Sequence, residues 1–568
     1  MDNQLSALLS RCREGLVAVG LISTAVNLLM LTVPIYMLQV YDRVIPGSST
    51  ETLVFLTILA AGALAAMAVL DVLRSRIMVR IGVWIDRMLS PALFERGIEN
   101  TLRGVPYQTD ALRDLATIRT YLGAVGIMAL FDTPWMPIYL ILIFVLHPIL
   151  GLLATGGAVV LIGLAIANHL LTSDKLNRAN MASAFGYQNA EMAFRNAEVI
   201  EAMGMTPALT RRWNEVNGDV LQLQETVSDT SGLINAWIKS LRLFLQVAVL
   251  GLGAWLVLQQ ELTAGGIIAA SIIMSRALAP VEQAIGAWRI TTNARDAWKR
   301  LTELLRLPPL YPSAMPLPPP SGSLVVSNVS YAPSQRLVLR DISFSLEPGE
   351  ALGIVGPSAA GKSTLARVII GLAKPQSGSI HLDGGDVFAW SRDNFGANIG
   401  YLPQKVELFR GTVRDNIARM EGGDPADIVA AAMGAGVHEM IMRMPYGYNT
   451  EIGENGVVLS GGQRQRIGLA RAIYRHPAFV VLDEPDANLD VEGEAALGRA
   501  ILTLKESGSI VVVITHRPML AAQFDKLLAL RSGRAEFFGP SHALVSHVRR
   551  RDACPTPDYP RQPMRVLK

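Results

Sequence analysis

Six long apolar stretches in the first half of the chain constrain its fold more than any other feature. Each spans about 17–25 residues, enough for a helix to cross the ~30 Å hydrocarbon core of a membrane. Half of the 568 residues are hydrophobic and only 17% are charged, a balance that is rare in soluble proteins. We therefore predict six spanning helices within residues 1–306, at about 16–40, 53–73, 125–146, 149–170, 243–259 and 264–286.

Basic residues flank these stretches unevenly. Arg74, Arg76 and Arg80 follow the second stretch, and Lys175 and Arg178 follow the fourth, whereas the loops at the opposite ends are short and poor in Lys and Arg. An excess of Lys and Arg marks the cytoplasmic side of a membrane protein. We therefore expect a multi-pass protein with both termini, and everything after the sixth span, in the cytoplasm.

Two long connections join the second span to the third and the fourth span to the fifth. They cover residues 71–123 and 170–242, are amphipathic and contain few helix breakers. This pattern predicts that the membrane helices continue far into the cytoplasm, with turns near 103–110 and 191–205.

The composition changes after residue 306. Residues 307–322 are rich in proline, which predicts a stiff linker. From Ser323 onward, short β-branched runs alternate with helical ones, so we predict an α/β domain over residues 323–545. The last segment, 546–568, is basic and proline-rich and is predicted to be disordered.

The strongest chemical signal is a glycine-rich loop that fits G-x-x-x-x-G-K-[ST], between an apolar strand and a helical run. In such a loop the backbone N–H groups and the helix N-terminus hold a polyphosphate. Lys362 would place its charge at the β- and γ-phosphates, and the Ser363 hydroxyl would bind Mg²⁺. The loop consists of Gly356, Pro357, Ser358, Ala359, Ala360, Gly361, Lys362, Ser363 and Thr364.

A second strand ends in two carboxylates, Asp483 and Glu484, after the buried run Phe479-Val-Val-Leu. Parallel sheets bind their ligands at the carboxyl ends of the strands. Asp483 is predicted to hold the metal ion, and Glu484 to polarise the water that attacks the γ-phosphate.

The segment Leu459-Ser-Gly-Gly-Gln463 lies about a hundred residues after the loop and directly before a helical run. Its small residues let backbone amides approach a phosphate. This segment resembles the signature of the ABC ATPase family, and the resemblance extends over the whole cassette. It implies that a second nucleotide is bound by Ser460, Gly461, Gly462 and Gln463.

Other positions resemble further functional residues of that family. By resemblance, Tyr331 stacks on adenine, Gln404 senses the metal and the attacking water, and His516 contacts the γ-phosphate. Asp490, in Asn488-Leu-Asp490, resembles part of the loop that contacts the second cassette. One departure is Ala359-Ala360, where Gly and Ser are more usual; we expect it to alter nucleotide affinity without abolishing the site.

One cassette following six spans resembles a half-transporter. The resemblance implies a membrane all-α six-helix domain of the type I exporter fold, followed by an α/β P-loop NTPase domain. It also implies a homodimer that binds ATP and Mg²⁺, and the segment beginning at Thr450-Glu-Ile-Gly resembles exporters rather than importers.

The third span and the segment around Gln404 resemble the type I protein-secretion transporters of the PrtD-like group. That resemblance implies ATP-driven export of an unfolded protein with an uncleaved C-terminal signal across a bacterial inner membrane. The implied partners are a periplasmic membrane fusion protein, an outer-membrane channel, the secreted protein and membrane lipid. The alternative is a homodimeric exporter of lipid or drug-like molecules. A net charge of +3 is small for this length and does not indicate a nucleic-acid-binding protein.

Two charged residues fall inside the predicted spans. Arg276 in the sixth span either lines the cargo pathway or reaches the interface or an acid such as Glu282. Asp132 either has a similar pathway role or is a residue at the membrane interface that starts the third helix, and the second interpretation is favoured.

Overall fold

Helices are the main regular structure in the described part of the N-terminal unit. The computed structural model describes residues 2–104, 110–311, 317–333, 336–453, 457–487, 489–515 and 523–543. The chain divides near Leu307 into a helical unit and a sheet-containing unit.

The helical unit contains eleven α-helices in the described residues, interrupted by a π-helical turn at Val40–Val44 and a 3₁₀ turn at Thr133–Trp135. The α-helices are α1 (Asp2–Leu29), α2 (Thr32–Gln39), α3 (Ile45–Gly47), α4 (Thr50–Leu102), α5 (Asp110–Gly123), α6 (Val125–Asp132), α7 (Met136–Leu146), α8 (Pro148–Arg195), α9 (Ala197–Ala202), α10 (Thr206–Leu258) and α11 (Ala264–Arg306).

Six helical segments in the described chain are long and apolar enough to cross a membrane. Helices α4 and α10 each have 53 residues. At 1.5 Å per residue such a helix is about 80 Å long, much more than a bilayer requires. The predicted all-α membrane domain is thus confirmed. The six segments are Cys12–Gly47, Thr50–Leu102, Ile127–Leu146, Pro148–Arg195, Thr206–Leu258 and Ala264–Trp288.

Prolines interrupt two of the spans that the sequence predicts as continuous. The first breaks at Met30–Leu31, four residues before Pro34, and the third changes to a 3₁₀ turn around Pro134. Proline lacks an N–H and its ring clashes with the carbonyl four residues earlier, so the α-helical ladder cannot pass unchanged. The first helix also begins at Asp2, well before the apolar run.

Asp132 is held in a buried ion pair, so its interpretation as a simple helix-start residue is incomplete. Arg74 donates to Asp132 at 3.0 Å and to Asp71 at 2.6 Å, and the side chains of Arg74 and Asp132 are only 8% and 13% exposed. A charge in such surroundings requires a partner. The pair therefore joins α4 to the end of α6.

Neutral polar groups extend this pair into α1 and α7. The Asn27 amide donates to Asp132 at 2.8 Å, and the Tyr139 hydroxyl donates to the Asn27 side chain at 2.9 Å. Buried polar groups in an apolar environment are costly unless they are hydrogen-bonded. This network connects α1, α4, α6 and α7 in one specific arrangement.

The acid suggested as a partner for Arg276 is bound elsewhere. Glu282 accepts from Arg242 at 2.6 Å, which joins α10 to α11. Among the described residues, Arg276 and Glu282 therefore form no ion pair, and the reach of Arg276 to the membrane interface stays a prediction. Within the described part of the chain, Arg276 is exposed and forms no ion pair.

The second unit alternates strands and helices. Its strands are β1 (Leu324–Tyr331), β2 (Leu339–Leu346), β3 (Ala351–Val355), β4 (Ser377–Leu382), β5 (Gly385–Asp386), β6 (Ile399–Leu402), β7 (Gly411–Thr412), β8 (Glu451–Ile452), β9 (Phe479–Asp483), β10 (Ile510–Ile514), β11 (Lys526–Arg531) and β12 (Arg534–Pro540). Its helices are α12 (Lys362–Ile369), α13 (Arg392–Ala397), α14 (Val413–Ile417), α15 (Pro425–Gly434), α16 (His438–Met442), α17 (Gly461–Ile473) and α18 (Val491–Glu506).

A six-stranded sheet in the order β12-β11-β3-β10-β9-β6 forms the centre of this unit. Strands β9 and β10 are buried throughout, as expected for β-branched runs covered on both faces. They are parallel to β3, β6 and to each other, so their carboxyl ends meet at one edge. The predicted α/β fold is confirmed, and its ligand-binding edge is where β3 and β9 end.

The described ends of the proline-rich segment pack on the second unit. The Tyr311 hydroxyl donates to the Gly371 carbonyl at 2.9 Å, and the Arg392 guanidinium lies 3.9 Å from the centre of the Tyr311 ring. Asp383 accepts backbone N–H groups from Ser321 and Ser323. Residues 312–316 and the predicted tail at 546–568 lie outside the described residues.

Candidate nucleotide site

The phosphate loop connects β3 to α12 and has backbone geometry that few residues adopt. A Cβ at Gly356 would lie 2.2 Å from the Leu530 carbonyl oxygen, so only glycine fits there. Ala359 has a φ of +62°, a left-handed conformation that costs an L-residue about 1 kcal/mol. The alanine at this position, noted as unusual from sequence, therefore adopts a strained conformation that glycine would adopt without penalty.

Lys362 begins α12 and points back across the loop. Its Nζ donates to the carbonyls of Gly356 and Pro357 at 2.9 and 3.0 Å, and the residue is only 6% exposed. Burial lowers the pKa of the Lys362 amine, while Glu484 and Asp483 act in the opposite direction. The amine is thus held in the loop, where it can exchange carbonyl partners for phosphate oxygens.

Ser363 and Asp483 bring the phosphate loop and β9 together. The Ser363 hydroxyl donates to Asp483 Oδ1 at 3.2 Å, and Asp483 is 2% exposed. Burial raises the pKa of the Asp483 carboxyl; the repulsion from Glu484 adds to this effect, and the Ser363 hydrogen bond and Lys362 oppose it. A cation bound at this place would stabilise the ionised carboxylate.

Glu484 and Gln404 meet at the neighbouring strand ends. Gln404 follows β6, and its Nε2 donates to Glu484 Oε2 at 2.9 Å. The two residues are 80 positions apart in sequence. The structure thus brings together the predicted base and the predicted water-sensing amide, beside the Ser363–Asp483 pair.

The backbone of Glu484 is in a left-handed conformation, with a φ of +49°. Its N–H donates to the Ile514 carbonyl at 2.9 Å. Its own carbonyl accepts a hydrogen bond from Gln465 Nε2 at 3.3 Å. Sequence reasoning missed Gln465; the only available signal was a polar residue placed on the apolar face of the helix that follows the signature.

The signature segment starts α17 with a reciprocal cap. The Ser460 hydroxyl accepts the Gln463 N–H at 3.2 Å, while the Gln463 side chain accepts the Ser460 N–H at 2.9 Å. This arrangement satisfies two N-terminal backbone groups. Asp490 caps α18 by accepting the Gly493 N–H at 2.8 Å, and Arg466 of α17 reaches it at 3.3 Å.

Some of the predicted nucleotide-site residues do not lie together within a single chain. Among the described residues, no hydrogen bond joins Ser460–Gln463 to the phosphate loop. Tyr331 ends β1 and packs against the core of the sheet. His516 and Asn488 lie outside the described residues.

The donor set fits a magnesium–nucleotide complex. No group of three or more His, Cys, Asp and Glu side chains in the described ranges is placed to hold a metal ion. Mg²⁺ does not need one, since it binds to one or two protein oxygens and completes its shell with phosphates and water. Ser363 Oγ and Asp483 Oδ1 supply such oxygens beside an amide-rich loop. When bound, the ion would neutralise charge on the phosphates.

Replacing Asp483 by asparagine is expected to stabilise the nucleotide-free protein at neutral pH. The folded-state pKa of Asp483 is raised by burial, so its carboxyl favours folding when protonated, and that contribution is lost as pH rises through the folded-state pKa. Asparagine keeps the Ser363 contact without the charge. The melting temperature of D483N should exceed that of wild type at pH 7–8, and addition of Mg-ATP should reverse the order.

Asp525 provides the matched control for this prediction. Burial raises the pKa of its carboxyl, but the hydrogen bonds from Lys505 and the Ala351 N–H outweigh burial and lower it. D525N should therefore melt below wild type at the same pH. If D483N melts at or below wild type at this pH while D525N melts below it, burial of the Asp483 carboxylate carries no cost.

Comparison with protein families gives two matches, one within each unit. Residues 16–281 match the family described as "ABC transporter transmembrane region", and residues 339–487 match "ABC transporter".

Similar proteins include ATP-binding proteins of bacterial secretion systems. The chain is 42% identical to a type I secretion system ATP-binding protein of Rhizobium meliloti, over 96% of this chain and 94% of the relative. It is 29% identical to the cyclolysin secretion/processing ATP-binding protein of Bordetella pertussis, over 93% of this chain and 75% of that protein. A bacterial Atm1-family ABC exporter solved with ATP bound superposes with a TM-score of 0.82 at 23% identity, over 96% and 99% of the two chains, which shows the shared fold.

Proposed function

Since this chain belongs to the ABC transporters of type I secretion systems and contains an ABC-type ATPase domain, we propose that it uses ATP to export an unfolded protein across the bacterial inner membrane. The cargo would carry an uncleaved C-terminal signal. The observation that carries the proposal is the 42% identity to a type I secretion protein, which extends over 96% of the chain and therefore includes the membrane domain as well as the cassette.

The proposed chemistry is hydrolysis of ATP at the edge where β3 and β9 end. The phosphate loop and Lys362 would bind the phosphates, and Ser363, Gln404 and Asp483 would hold Mg²⁺, whose charge would stabilise the phosphates. Glu484 accepts a proton from the attacking water, which Gln404 helps to orient. His516 would contact the γ-phosphate, and Tyr331 would stack on adenine.

The working unit is proposed to be a homodimer. Ser460–Gln463 and the phosphate loop are not joined by a hydrogen bond in the described part of one chain. The capped N-terminus of α17 suits an anion supplied from outside the subunit, because its amides and helix dipole favour negative charge. Two chains arranged with two-fold symmetry would enclose two nucleotides, each between one phosphate loop and the other signature.

The proposed location is the inner membrane, with the cassette and both termini in the cytoplasm. Basic residues that follow the second and fourth spans support this orientation. A periplasmic membrane fusion protein and an outer-membrane channel would complete the path of the secreted protein, and membrane lipid would surround the six spans.

Arg276 is proposed to line the path of the cargo. It is exposed on the single subunit, and its suggested acid partner is bound to Arg242. A guanidinium on a transmembrane helix is costly unless it faces water or a partner. In the dimer, the two Arg276 side chains would meet acidic or backbone groups of an unfolded polypeptide.

Stimulation of ATPase activity distinguishes this function from the export of lipid or drug-like molecules. Purified protein in lipid nanodiscs would be titrated with the C-terminal peptide of a candidate cargo, a scrambled peptide, and a panel of lipids and drugs. A change in turnover with the C-terminal peptide alone supports protein export. A change with lipid or drug and none with the peptide contradicts it, while the ATPase assignment stands.

A further inference from the structure

Gln465 ties the signature helix to the backbone that carries the predicted base. It lies in the second turn of α17 and is 3% exposed. Its Nε2 lies 3.3 Å from the carbonyl oxygens of both Glu484 and Pro485. Because both partners are acceptors, the amide nitrogen must face them, and its two hydrogens serve one carbonyl each.

The turn after β9 needs this support. Glu484 combines a φ of +49° with a position directly before proline, where the extended region is favoured. Such a conformation persists only when its surroundings hold it. The Glu484 N–H donates to Ile514, and its carbonyl also accepts the Ala487 N–H at 3.1 Å. Gln465 is the side chain that adds restraints at two successive carbonyls.

We infer that Gln465 is a positioning residue for ATP hydrolysis, which fixes the Glu484 carboxylate by holding the carbonyls of Glu484 and Pro485. Among the described residues, the Gln465 side chain donates only to the backbone carbonyls of Glu484 and Pro485, and it therefore acts through Glu484. It also belongs to the helix whose capped N-terminus is proposed to bind the partner's nucleotide. Arrival of that nucleotide would thus be linked mechanically to the geometry of the base in the same subunit.

This inference rests on the proposed function in one respect, the role of Glu484 as base. Kinetic measurements distinguish the positioning role of Gln465 from a simple packing role. A packing role would reduce folding, nucleotide binding and turnover together. A positioning role lowers kcat while KM for ATP stays unchanged, because an interaction used only in the transition state is lost.

The test uses Gln465→Met in the full-length protein, purified in lipid nanodiscs. Methionine matches glutamine in length and helix propensity but has no hydrogen-bond donor. We expect kcat to fall about 10- to 100-fold, the range typical of a small misplacement of a catalytic group, with KM within about threefold of wild type. Gln523→Met is the control, since Gln523 is a partly buried glutamine beside Gly498, and it should stay within about twofold.

Two results would overturn the inference: a kcat for Q465M within twofold of wild type, or a KM that rises by the same factor as kcat falls. If Q465M does not fold, Gln465→Asn keeps the amide but is one methylene too short to reach both carbonyls, and the same kcat loss is expected. Glu484→Gln is assayed in parallel. Equal turnover in E484Q and wild type would show that the assignment of the base has failed, whatever Q465M does.

Discussion

Replacing Glu484 by glutamine is expected to lower ATP turnover by at least about 100-fold, the lower end of what a general base contributes. The carboxylate lies at the end of β9, held by the Gln404 amide at 2.9 Å, and no other carboxylate among the described residues has that contact. Glutamine keeps the size of the side chain but accepts no proton from water. ATP binding should remain within about threefold of wild type, because the phosphate loop is untouched.

Glu506→Gln is the matched control for this measurement. Glu506 is exposed at the end of α18, and its neutralisation should leave turnover unchanged. Turnover by purified E484Q above about a tenth of the wild-type rate would contradict the role of Glu484 as general base. A general base usually accelerates a reaction by more than about tenfold.

Replacing Asp132 by alanine is expected to cost about 3 kcal/mol of stability in the membrane domain. Removal of one partner from a buried ion pair leaves the other charge uncompensated, which typically costs about 3–5 kcal/mol. Asp71 remains bound to Arg74 but is 58% exposed, so the lower end of that range applies. Asn27 also loses its Asp132 acceptor. The melting temperature of purified D132A should fall clearly below that of wild type.

Two further variants make this prediction specific. R74M/D132A should recover most of the loss, because a buried ion pair can be replaced by apolar side chains with little cost. Asp174→Ala breaks a pair with Arg178 whose side chains are 72% and 67% exposed, so it should change stability by less than about 1 kcal/mol. If D132A and wild type have the same melting temperature, the buried pair contributes nothing to the stability of the fold.

The parts of the fold that sequence reasoning predicted correctly depend on local signals. A membrane span is marked by one continuous apolar run, and the phosphate loop by nine adjacent residues between a strand and a helix. The fold class of both units could be predicted from these local signals alone. The continuation of the helices past the apolar runs also followed, because amphipathic periodicity continues there.

The parts that sequence reasoning missed depend on contacts between distant residues. Arg74 and Asp132 are 58 positions apart, and Glu282 pairs with Arg242 of another helix instead of its own-helix neighbour Arg276. Opposite charges on long helices have many possible partners, and only packing decides between them. Proline alone does not predict the breaks before Pro34 and at Pro134, because Pro91 and Pro280 lie inside α4 and α11, which continue through them.

In the candidate site, too, local motifs could be predicted from the sequence and contacts between distant residues could not. Its chemical groups were predicted from their motifs, whereas the conformation of Glu484 was not, because a left-handed φ at a glutamate has no sequence signal. The contact from Gln465 becomes visible only once α17 packs under the end of β9. Strained backbone held by a buried side chain is typical of functional sites.

Secretion by living cells tests the central claim most directly. Cells would receive wild-type protein or E484Q, together with a membrane fusion protein, an outer-membrane channel and a candidate cargo with or without its C-terminal segment. We predict cargo in the medium only with wild type and only when the C-terminal segment is present. Equal amounts of cargo outside cells with wild type and E484Q, at matched protein levels, would contradict ATP-driven protein export by this chain.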